Sequence, residues 1–241
     1  VCQPSVPVIA AAARMEADKD PFVPLSMTLM GGPIDTRSNP TAVNNLAQER
    51  GIDWFRANVI TKVPFPHPGF MRDVYPGFLQ LHGFMSMNLG NHMLSHYHMF
   101  KHLIAGDDES ADATKAFYDE YRSVCDMNAA YYLQTVEHVF QKHSLPNGTF
   151  MHRGKAVDLA AIKNTALLCI EGERDDISGI GQTKAALTHA TGLSADRKKY
   201  YLAPGVGHYG IFNGSRWREQ IAPMVEDWIG KYDHAQLKVV A

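Results

Sequence analysis

Apolar positions along the 241-residue chain follow two spacings that alternate at the start, give way in the middle and return near the end. Ser5 to Asp18, "SVPVIAAAARMEAD", has the composition of a helix with an early proline. Residues 24–32, "PLSMTLMGG", form a short apolar run closed by Gly-Gly, the mark of a buried strand. The stretch "SNPTAVNNLAQERG" (38–51) predicts a second helix, with Asn39 as N-cap, Pro40 at the first helical position and Gly51 as its stop. From Ile52 to Phe150 no strand-like alternation is visible. A Pro-rich piece, "VPFPHPGF", is followed by two long helical patterns, one rich in Met and His and one in aromatics. Afterwards "TALLCIEG" (165–172) reads as a buried strand, 180–192 as a helix and "KKYYLAPG" (198–205) as a strand. Residues 215–232 read as a last helix, with Trp217, Ile221, Val225 and Trp228 on one face.

Helix and strand in alternation predict an α/β fold with a parallel sheet. The expected core is discontinuous, 1–51 with 154–241, and 52–153 is a helical insertion, either a lid or cap over a site or an ordinary helical subdomain. Charge narrows the partners. A net charge of −2 leaves no electrostatic footprint for nucleic acid and no polybasic membrane patch. No run approaches the ~18 apolar residues of a membrane span. Three cysteines, Cys2, Cys125 and Cys169, form no disulfide or metal framework, which favours a reducing, cytoplasmic compartment. Cys169 reads as a buried strand residue and Cys125 as a helical one, and the sequons at Asn147 and Asn213 carry little weight there.

Open α/β sheets place their chemistry beyond the carboxyl ends of their strands, and three stretches stand at such places. In "VCQPS" a nucleophile on a sharp turn opens a helix, and the N–H of the following Gln3 can face an oxyanion. Pro4 replaces the glycine usual two places on, so Cys2 also reads as a structural cysteine. In "IEGERDDISG" a strand leads to an acid at the position that orients a histidine. Asp175 fits it, with Asp176 one step out of register and Asp35 of "GGPIDTR" as a rival that Arg37 would pair. In "APGVGHYGIF" a histidine, His208, lies in a Gly-rich loop between the last strand and the last helix, where a general base belongs. The order nucleophile, acid, histidine is that of the α/β-hydrolases.

Other features carry less. His92/His96 and His98/His102 are i,i+4 pairs, but they point to different helix faces, no acid or cysteine completes a set, and no metal is expected. "HGF" (82–84) mimics a His-Gly oxyanion motif yet follows the nucleophile, so it reads as lid. The Met-rich run 85–99 reads as lid packing.

The stretches "CQPSVPVIAA", "LSMTLMGGPIDTRSNPTAVNNLA", "IEGERDDISGIGQT" and "APGVGHYGIFNGSRWR" resemble the intracellular polyhydroxyalkanoate (poly-3-hydroxybutyrate) depolymerases of bacteria. The resemblance implies an α/β-hydrolase fold, seen here from its nucleophile elbow onward. It also implies a cofactor-free thiol hydrolase that cleaves storage polyester at the granule surface in the cytoplasm. By motif the nucleophile is Cys2, the orienting acid Asp175 and the base His208, with water or another thiol such as coenzyme A as acyl acceptor. Homo-oligomers are compatible with it. Members of the family carry an N-terminal part with further strands and half of the oxyanion hole, so this chain alone is expected to be inactive and poorly stable. Two other readings compete. One is a polyester synthase, against which the "CQPS" elbow argues by lacking a Gly-flanked box. The other is a non-catalytic granule-binding protein, against which the three occupied triad positions argue.

Overall fold

The computed structural model describes residues 1–233. They fall into two compact units, Val1–Glu49 with the chain from Thr135 onward, and Arg50–Gln134. The first unit is mixed α/β. It contains helix α1 (Ser5–Ala17), strand β1 (Ser26–Met30), helix α2 (Ala42–Glu49), strand β2 (Ala166–Gly172), helix α3 (Ala185–His189), strand β3 (Lys198–Ala203) and helix α4 (Ala222–Asp233). The strands form a parallel sheet in the order β1-β2-β3, with Met30 beside Ile170 and Gly172 beside Ala203.

All seven residues of β2 are buried, as expected for the central strand of a parallel sheet covered on both faces. Its side chains alternate between two cores. Leu167 and Cys169 face one with Ile9, Ala13 and Leu29, whereas Leu168 and Ile170 face the other with Met30, Ile211, Ile221 and Trp228. Cys169 is therefore structural, and burial pushes its thiol far above the ordinary range. The alanine run of α1 buries Ala10, Ala12 and Ala13, small side chains that let the helix lie close on the sheet. The predicted face of the last helix holds as well: Ile221 and Trp228 are buried, and Trp217 and Val225 pack on the same core.

Several boundaries differ from the sequence reading. Asn39 is not an N-cap: it sits at φ 44 and donates from Nδ2 to Ile180 O, and α2 starts only at Ala42. There Asn44 Oδ1 accepts from Thr41 N at 2.8 Å, a local bond that sets the start of the helix. Gly51 opens the next helix, Ile52–Val59, as its N-cap. The helix expected over 180–192 shrinks to Ala185–His189, because the Glu171 carboxylate takes the N–H groups of Gly181, Thr183 and Lys184. Residues 135–153, grouped above with the insertion, fold with the first unit, whose core receives Val139 and Leu145.

The second unit consists mainly of helices, Ile52–Val59, Gly77–Met87, Leu89–Ala105 and Asp108–Tyr121. The first long pattern breaks at Asn88 (φ −134, ψ 38), and Gly106 at φ 73 ends the following helix. Asp107 caps the next by accepting from Ser110 N. Thr61–Lys62, Asp73–Tyr75 and Met127–Asn128 pair as a small antiparallel sheet. Runs of two or three residues are too short for alternation to show in sequence. Cys125 lies outside the helices and is exposed, against the helical expectation. Tyr132 anchors the unit, with its ring 4.2 Å from Tyr75 and 6.4 Å from Phe55. Among the described residues no helix is long and apolar enough to cross a membrane.

Leu168 is fully buried at the centre of the sheet, whereas Phe22 is 84% exposed. Leu168→Ala is expected to cost about 2–5 kcal/mol, read as a lower urea midpoint at unchanged slope. Phe22→Ala is expected to leave the midpoint in place.

Candidate active site

Parallel strands send their following loops out at one edge, and the loops after β1, β2 and β3 carry the site. At that edge Cys2 is pinned by its backbone, with Cys2 N donating to Met30 O, the last carbonyl of β1, at 2.7 Å. Cys2 itself has φ 59, a left-handed conformation that a residue with a Cβ pays to adopt. Backbone strain of this kind concentrates at functional positions. The turn leads straight into α1, with Ser5 N donating to Cys2 O at 3.0 Å. Gln3 follows at the start of the helix, where its Nε2 donates to Thr135 Oγ1 at 3.0 Å.

The loops after β2 and β3 are stitched to each other. Glu173 N donates to Ala203 O, Arg174 N to Val206 O, and Gly205 N to the Glu173 carboxylate. Gly172 makes the approach possible, because a Cβ there would lie 2.5 Å from Val206 O. The result is one hydrogen bond between the loops' functional groups: His208 Nδ1 lies 2.7 Å from Asp175 Oδ2. The two side chains are 5% and 0% exposed, so water does not compete for the bond. Asp175 Oδ1 accepts from Ile177 N at 2.9 Å and Ser178 N at 2.8 Å, which fixes the carboxylate in its plane. These two amides escaped the sequence reading, although an Asp followed three places on by Ser is the pattern of such a turn.

Cys2 acts on the same imidazole. Burial alone would push the His208 imidazole down. Hydrogen bonds with Asp175 and Cys2, and the negative charge of Asp175, outweigh burial and raise it to about 10. With Nδ1 committed to Asp175, Nε2 is the nitrogen left for Cys2. The structure thus brings Cys2, Asp175 and His208 together from three separate loops.

The rival acids lie elsewhere. Asp35 makes two hydrogen bonds of 2.8 Å with the Arg37 guanidinium. Burial would raise its carboxyl, but the Arg37 hydrogen bonds hold it below the usual range. Asp176 is exposed. The helical histidines are engaged locally: His92 with Tyr118 OH, His96 with His92 O and His102 with Asp107. His82–Phe84 lies within the helix Gly77–Met87. Among the described residues no three His, Cys, Asp or Glu side chains gather as a metal site would require.

A family profile described as "PHB de-polymerase C-terminus" matches residues 31–233. The match includes Asp175 and His208 and begins after Cys2. No curated protein matches the chain.

The raised His208 predicts a pH dependence of stability. Folded His208 keeps its proton up to about pH 10, whereas the unfolded imidazole releases it near 6.5. The native state then binds more protons between those values, so this contribution is full below pH 6.5 and fades as pH rises towards 10. Urea unfolding across that window is expected to show falling stability, and Asp175→Asn is expected to flatten the slope.

Proposed function

Because the chain belongs to the family described as the PHB de-polymerase C-terminus, we propose that it hydrolyses poly(3-hydroxybutyrate)-type polyester through Cys2, His208 and Asp175. The observation that carries the reading is the buried 2.7 Å bond between His208 and Asp175, with the Cys2 thiol at the same imidazole. In this reading the first unit is the C-terminal part of an α/β-hydrolase core and Arg50–Gln134 is a helical insertion in its sequence. The enzyme works in the cytoplasm on storage granules.

The chemistry proceeds in two halves. His208 carries its proton at Nε2 beside the Cys2 sulfur, and the negative charge of Asp175 holds that proton on the ring. The sulfur attacks the ester carbonyl, and the Gln3 N–H faces the oxyanion that forms. As the ester C–O bond breaks, the imidazolium protonates the departing alkoxide, which leaves as the hydroxyl end of a shortened polymer. The acyl group now rests on Cys2 as a thioester. His208 then removes a proton from water, whose oxygen attacks the thioester. The C–S bond breaks, the acid is released, and the proton stays on the imidazolium, which returns the site to its starting state.

A neutral polymer calls for an apolar, weakly charged contact face, and the second unit offers one. The helix Leu89–Ala105 has no buried residue and no carboxylate, and it exposes Met93, Tyr97, Phe100 and Ile104 along one stripe. Contiguous exposed apolar surface of this kind marks contact with another molecule.

Hydrolysis of amorphous poly(3-hydroxybutyrate) and of a soluble hydroxybutyrate oligomer tests both statements. Cys2→Ala is expected to lower both rates by about 10³-fold or more, and retention of either rate overturns the reading. Phe100→Ser with Ile104→Ser is expected to slow attack on the polymer while leaving the soluble oligomer unaffected. Equal loss on both substrates would remove the stripe from polymer contact.

A further inference from the structure

One buried carboxylate plays no part in the chemistry above. Glu171 sits in β2 at 1% exposure, in a strand otherwise made of small and apolar residues. Burying a carboxylate is costly unless its oxygens are fully hydrogen-bonded. Those of Glu171 are: they accept from Thr183 N at 2.7 Å, Lys184 N at 2.9 Å, Gly181 N at 2.8 Å and Tyr200 OH at 2.7 Å. The bonds wrap residues 181–184 around a single charge and fix the position of Thr183.

Thr183 is fully buried, and its hydroxyl grips one residue from both sides. It accepts from Gly32 N at 2.7 Å and donates to Gly32 O at 3.0 Å. Gly32 belongs to the turn that leaves β1, and that turn supports both halves of the reactive pair. A Cβ added to Gly31, which has φ 55, would stand 3.0 Å from His208 Cε1 and 3.2 Å from its Nδ1, so the imidazole rests on that residue. A Cβ added to Gly32 would run into the Ser5 side chain and come within 3.2 Å of Cys2 O. The residue before the turn, Met30, holds Cys2 N.

We propose that Thr183, held by Glu171, is a positioning residue: by clamping Gly32 it sets the Gly31–Gly32 turn on which Cys2 and the His208 ring are seated. The clamp touches neither reacting group, and it needs a hydroxyl that both donates and accepts. Threonine and serine supply one. Valine has nearly the same shape but leaves the N–H of Gly32 unpaired in a site closed to water, and its C=O keeps only the bond from Ile34 N. A displaced turn changes the distance between sulfur and imidazole, and small displacements at a reacting pair carry large rate penalties. The ester rate rests on the hydrolase reading above, whereas the reactivity of the Cys2 thiol does not.

The test compares Thr183→Val, Thr183→Ser and Glu171→Gln with the parent protein. One readout is the pH profile of Cys2 alkylation by iodoacetamide, resolved from Cys125 and Cys169 by peptide mapping. The other is kcat and KM on a soluble hydroxybutyrate ester. Thr183→Val is expected to lower kcat by about tenfold or more at unchanged KM and to shift the alkylation profile, while Thr183→Ser restores both. Glu171→Gln is expected to shift the profile in the same direction, and it carries the test if Thr183→Val does not fold. Parental profiles in Thr183→Val or, failing that, in Glu171→Gln overturn the proposal, as does a Thr183→Ser profile as altered as that of valine. A parent protein with a reactive Cys2 but no ester turnover would instead count against the hydrolase reading.

Discussion

The site depends on the parallel pairing of three strands. Because β1, β2 and β3 run in one direction and are in register, the chain leaves all three at the same edge. The Gly31–Gly32 turn, the Asp175 loop and the His208 loop therefore emerge side by side, although most of the chain's length separates the first from the last. Cys2 joins them through a backbone hydrogen bond to Met30 O, which uses the end of β1 as an anchor. An antiparallel neighbour would have sent one of these loops to the opposite edge and left the imidazole without a partner.

On this frame the electrostatics follow from burial. A histidine taken out of water loses affinity for its proton unless negative charge accompanies it. His208 meets the carboxylate of Asp175 and a hydrogen bond with Cys2, and together they reverse the effect of burial. Two backbone amides hold Asp175 in turn, so the charge that orients the ring is itself fixed. The same economy recurs one layer out at Glu171, where a buried charge organises backbone. In both places a carboxylate is tolerated inside because amide N–H groups surround it.

The strands and the identity of the three converging residues were legible in the sequence, because each carries a local signal. β2 is an uninterrupted buried run, and Asp175 and His208 follow strands in glycine-bearing loops. What the sequence did not disclose depends on contacts between distant segments. The helix expected over 180–192 gives way at its start because Glu171, in another element, captures the amides it would have used. Asn39 loses its capping role because it reaches across to Ile180. Glu171 did leave a trace: a charged residue in an otherwise apolar strand signals a buried partner. Residues 135–153 are helical in pattern at first, like the insertion, yet their apolar side chains serve the first unit's core.

The proposed chemistry places the acyl group on the Cys2 sulfur. Rapid quenching of the protein during turnover of a hydroxybutyrate ester, followed by peptide mass spectrometry, tests it directly. The account predicts a hydroxybutyryl group on the Cys2 peptide that hydroxylamine removes, with Cys125 and Cys169 unmodified. Turnover with Cys2 free of acyl and still open to alkylation, or an acyl group on any other side chain, would contradict it.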